Sequence, residues 1–69
     1  MPRTLKDNNG IEFEVGQVRI LYFSTGPRAC VILKIDQTYS EMETFKLFDV
    51  GRLQPMLSTI GLMETTELV

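Results

Sequence analysis

The run from Gln17 to Asp36 constrains the fold more than any other part of the chain. It holds two segments, Gln17-Val18-Arg19-Ile20-Leu21-Tyr22-Phe23 and Ala29-Cys30-Val31-Ile32-Leu33-Lys34-Ile35-Asp36, in which nearly every residue is β-branched, aromatic or aliphatic. Between them Ser24-Thr25-Gly26-Pro27-Arg28 has the composition of a turn, with Gly and Pro adjacent. The pattern predicts the central hairpin of a small barrel. In the first strand Val18, Ile20 and Tyr22 share one face and Arg19, Leu21 and Phe23 the other; in the second, Ala29, Val31, Leu33 and Ile35 oppose Cys30, Ile32, Lys34 and Asp36. The uncharged sets are expected to form the core. The second face is itself part-apolar, so either the sheet curls to cover it or a partner does.

The rest of the chain fits around this hairpin. Asp7-Asn8-Asn9-Gly10 reads as a turn and Ile11-Glu12-Phe13 as a short strand. Residues 37–43 are polar and read as a loop. Thr44 to Val50 forms a third long strand, Val50-Gly51 a tight turn, and Arg52 to Ser58 a fourth strand. Pro55 cannot donate to a ladder, which places that strand at an edge or a bulge. The tail admits two readings: a 3₁₀ turn over residues 64–67 followed by a closing strand at Leu68-Val69, or a short C-terminal helix capped by Thr59.

At 69 residues the chain is one domain, residues 1–69. A domain of this size buries only about 60% of its unfolded surface, so the core is thin. One cysteine, Cys30, precludes an internal disulfide, and with no His a four-ligand zinc site is precluded too. Cys30 is expected to behave as a small apolar residue. No apolar run approaches the roughly 18 residues of a membrane helix. Met1-Pro2-Arg3-Thr4-Leu5-Lys6 lacks the apolar centre of a signal peptide, and a cytoplasmic location is the expectation.

Asp7-Asn8-Asn9-Gly10-Ile11-Glu12-Phe13-Glu14-Val15-Gly16-Gln17-Val18 resembles the opening of many small SH3-like barrels of phage and mobile elements, including YopX-type phage proteins. Phe45-Lys46-Leu47-Phe48-Asp49-Val50-Gly51-Arg52 is similar to a hairpin of Tudor- and KOW-like barrels, and Glu67-Leu68-Val69 to their closing strand. The resemblance implies an all-β, five-stranded SH3-like antiparallel barrel. It also implies a small phage- or mobile-element-encoded protein that binds and modulates a host protein.

The chemistry-bearing residues point away from catalysis. With no His the commonest general base is missing, and neither a phosphate-binding glycine loop nor a G-x-S-x-G elbow occurs. Glu41 and Glu43 read as solvated loop charges. The expectation is a non-enzyme with no cofactor, no metal and no membrane contact. Arg19, Lys34 and Lys46 fall on the second face, interleaved with Phe23, Ile32 and Phe48. Such a stripe suits a protein interface, and it also suits a solvated face with long basic stems lying over aromatics. The expected partner contacts are Arg19, Leu21, Phe23, Ile32, Lys34 and Phe48. The leading expectation is a non-catalytic protein-binding module, with homodimerisation through a free strand edge as a further expectation. A single-stranded nucleic-acid binder stands behind it, because a net charge of −2 opposes phosphate binding. A structural subunit of a larger assembly is the third reading.

Overall fold

A computed structural model describes residues 5–36 and 43–69. The expectations for residues 1–4 and for most of the polar loop, residues 37–42, lie outside the described residues. The architecture is β1 (Val18–Phe23), β2 (Gly26–Asp36), β3 (Thr44–Asp49), β4 (Gln54–Thr59), α1 (Ile60–Met63) and β5 (Glu67–Leu68). The strands form one antiparallel sheet in the order β4-β3-β2-β1-β5. The expected all-β, five-stranded, barrel-like fold is therefore present, but the sheet stays open: β4 and β5 are its two edges.

The central hairpin is tighter than composition suggests. Only Ser24 and Thr25 form the turn, and Gly26, at φ 122°, already pairs with Phe23. Pro27 then pairs with Tyr22 inside the strand. The even-numbered residues of β2 bond to β1, as the Ile32 N–H donating to the Gln17 carbonyl shows, while the odd ones turn toward β3, as the Ala29 carbonyl accepting from Val50 shows. The donor that Pro27 lacks would have faced a side where β3 has already ended, so the ladder loses nothing.

In β1 and β2 the buried face is the opposite of the expected one, whereas in β3 Phe45 and Leu47 are buried and Lys46 is outside, as their alternation predicts. The core is Leu5, Phe13, Leu21, Cys30, Ile32, Phe45, Leu47 and Met63, with Ile35, Met56 and Ile60 packed against it. Two causes account for the inversion. The β2–β3 register slips between Ile32 and Lys34, so Ile32 opposes Leu47 while Lys34 opposes Lys46. This bulge lets Ile32 and Ile35 both meet the core and turns Lys34 outward. The second cause is Arg19, which is fully buried because Asp7 meets it there.

The N-terminal segment supplies that carboxylate. Asp7 Oδ1 accepts from the backbone N–H groups of Asn9 at 2.8 Å and Ile11 at 2.9 Å, which fixes the turn ending at Gly10 (φ 80°). The expected strand over 11–13 is reduced to an isolated bridge between Lys6 and Glu12, and of its two apolar residues Phe13 is buried while Ile11 is exposed. The tail takes parts of both readings: a helical turn, α1, follows Thr59, which occupies the N-cap without a side-chain cap bond, and β5 pairs with Arg19 and Ile20 of β1. Between them the Thr66 hydroxyl donates to the Met63 carbonyl at 2.6 Å.

Candidate partner-binding site

Three of the six expected contact residues are interior. Arg19, Leu21 and Ile32 are buried and offer no surface to a partner. The Arg19 guanidinium is consumed inside the molecule. It is bound to Asp7 Oδ2, donates from Nε and Nη2 to Gln17 Oε1 at 3.1 and 3.0 Å, and lies 4.4 Å from the centroid of the Phe13 ring. Phe13 in turn meets Phe45 edge to face, with centroids 5.0 Å apart. Burial pushes the Asp7 carboxyl pKa up, but Arg19 and the N–H groups of Ile11 and Asn9 more than offset it, so it titrates below the usual carboxylate value. This network is the anchor of the N-terminal segment and not an interface.

Phe23 and Lys34 are exposed and Phe48 is half-buried, in different places. Phe23 sits at the end of the hairpin, on the inner side of the sheet, with the Arg28 guanidinium 4.8 Å from its ring centroid. Lys34 and Phe48 lie on the outer face. There the register places Val18, Val31, Phe48 and Pro55 directly opposite one another across β1, β2, β3 and β4. Ile20 with Ala29, and Tyr22 with Pro27, extend the apolar surface to one side. To the other side Lys34, Lys46 and Leu57 form the next row. Leu57 is 76% exposed. Tyr22, Lys46 and Leu57 are thus among the surface residues missing from the sequence-derived contact set. The cross-strand register would have found them, because it groups residues by row.

Two depressions flank β4. One, of about 200 Å³, occupies the seam where the sheet fails to close, between the end of β1 (Leu21, Tyr22, Phe23) and β4 (Met56, Leu57, Ser58). The other is a shallower hollow of about 320 Å³ on the outer side, lined by Lys46, Pro55, Met56 and Leu57. In the seam wall, Ser58 Oγ is buried with no hydrogen-bond partner among the described residues. An unpaired buried hydroxyl costs roughly 1–3 kcal/mol.

Burial pushes the Cys30 thiol pKa up, Asp49 pushes it further, and Arg28 only partly opposes them, so the sulfur is held as the thiol beside Met56 Sδ at 3.8 Å. Desolvation, then a hydrogen bond to Glu67, raises the Tyr22 hydroxyl pKa. Arg28 and Asp49 stand 3.8 Å apart, and Asp49 Oδ1 accepts from the Arg52 N–H at 3.1 Å, so this acid organises the β3–β4 turn. Among the described residues no group of side chains could hold a metal ion, and no helix is long and apolar enough to cross a membrane. No family model, curated protein or solved structure matches this chain.

Proposed function

We propose that this domain is a non-catalytic protein-binding module that engages its partner with the outer face of the sheet and the adjoining β4 border. The observation that carries this reading is the four-strand apolar row Val18, Val31, Phe48 and Pro55, the first three half-buried, continued by a Leu57 that is 76% exposed. Sheet faces turned to solvent normally alternate to polar residues. Leu53 adds to the argument: it adopts φ 54°, a conformation that suits Gly or Asn, and leaves its side chain 75% exposed. The resemblance of residues 7–18 to phage and mobile-element barrels extends the proposal to a host protein as the partner.

The test pairs capture with stability. Immobilised wild-type protein should retain a partner from lysate that a Phe48→Ser/Leu57→Ser variant does not, while the variant still unfolds in a single cooperative thermal transition. Unchanged capture by the variant would remove the outer face from the proposal. Single-stranded nucleic acid competes for the same face, favoured by Lys34 and Lys46 beside Phe48 and opposed by the net charge of −2. Fluorescence anisotropy with labelled oligonucleotides at low salt separates the two: the protein-binding reading expects no saturable signal.

A further inference from the structure

The β4 edge carries a more specific inference, which rests on the protein-binding reading. The Ile60 N–H donates to the Glu43 carbonyl at 3.1 Å, which fixes the phase of the β3–β4 ladder. Gln54, Met56 and Ser58 bond to β3, so Pro55, Leu57 and Thr59 turn their backbone groups to the open side. Pro55 lacks an N–H, and the Thr59 carbonyl, as N-cap, turns into α1. What remains outward is the Pro55 carbonyl, both groups of Leu57 and the Thr59 N–H. An antiparallel strand centred opposite Leu57 uses all four.

The two faces of that added strand meet different surroundings. Residues opposite Met56 and Ser58 would point into the apolar seam, beside the unpartnered Ser58 hydroxyl. The residue opposite Leu57 would lie on the outer side, against the hollow that Lys46 lines. Lys46 directly opposes Lys34, and neither has an ion-pair partner among the described residues. Like charges placed opposite one another destabilise a sheet. The uncompensated charge of Lys46 calls for an acid: it lies about two strand spacings, roughly 10 Å, from the added strand, a gap that a lysine and a glutamate side chain together span, with Lys34 one strand further.

We propose that β4 accepts an extended segment of another protein in which apolar and acidic residues alternate, the apolar ones entering the seam and the acidic ones facing Lys46. The mode is strand addition: the main chain supplies the affinity and alternate side chains the selectivity.

The probe is a fluorescein-labelled hexapeptide alternating Leu and Glu, compared with the same peptide carrying Lys for Glu and with one carrying Pro at the central Glu, whose N–H would bond to β4. The Glu peptide should bind and slow hydrogen exchange at the Leu57 and Thr59 amides. The Lys and Pro peptides should bind at least tenfold more weakly. Leu57→Pro removes an outward donor without touching the β3 ladder and should abolish binding. Lys46→Glu, which does not depend on the backbone, should reverse the preference between the Glu and Lys peptides. Equal binding of the Glu and Lys peptides, or no binding of any, overturns the inference. So does a homodimer in sedimentation equilibrium that Leu57→Pro dissolves, because the edge then belongs to a second copy. Failure of the peptides while Phe48- and Leu57-dependent capture persists discards strand addition alone; loss of both discards the binding-module reading as well.

Discussion

At the scale of single residues, the molecule turns on Arg19 and Asp7. Both side chains are fully buried and bonded to each other. Removing one partner of such a pair strands a charge in the interior, which costs about 3–5 kcal/mol. Asp7→Ala and Arg19→Ala should each lower the urea midpoint by a large fraction of the total stability. The Asp7→Ala/Arg19→Met double variant should lose much less than the sum, because neither charge is left alone. The acid limb of stability follows from the same contact. The folded pKa of Asp7 lies below its unfolded value, so its contribution is fully present above the ordinary carboxylate value and is lost as pH falls through the folded one. Urea titrations of wild type and Asp7→Asn should therefore converge on acidification. Composition could not reveal this pair: the two residues lie in different predicted elements, and a lone Arg in a strand is ordinarily a surface residue.

At the scale of elements, the strands were legible, and so were the faces of β3, but the faces of β1 and β2 were not. β-branched runs, the Asn-Gly turn and Pro55 at an edge all appear where the pattern puts them. The assignment of faces relied on an unbroken two-residue period, and the bulge after Ile32 breaks it. Lys34 was therefore correctly placed outside, while Ile32, two residues earlier, is inside. The orientation of the sheet has a direct check. Leu47→Ala should cost about 2–5 kcal/mol, since it empties a fully buried site, whereas Leu57→Ala on the next strand should stay within about 0.5 kcal/mol. Comparable losses at both positions would mean that the outer face is not the exposed one. Of the contact site, the sequence exposed Phe48 and Lys34 but hid the row they belong to, because a row exists only once register is known.

At the scale of the whole molecule, an open five-stranded sheet of 69 residues has little interior to spend on stability. Whatever covers the outer face or extends β4 should then alter stability measurably. A ligand that binds only the native state at one hundred times its Kd adds about 2.7 kcal/mol. For a domain of this size each kcal/mol moves Tm by about 4–8 °C, so saturation should raise the transition by on the order of 10–20 °C. The cognate partner, or the Leu-Glu peptide at saturating concentration, should produce an upward shift that grows with the logarithm of its concentration. The Leu57→Pro variant should show no shift with the peptide. A wild-type transition that does not move at saturation would mean that the ligand meets the unfolded chain as readily as the native sheet, and neither the outer face nor the β4 edge would then be a binding surface of the folded protein.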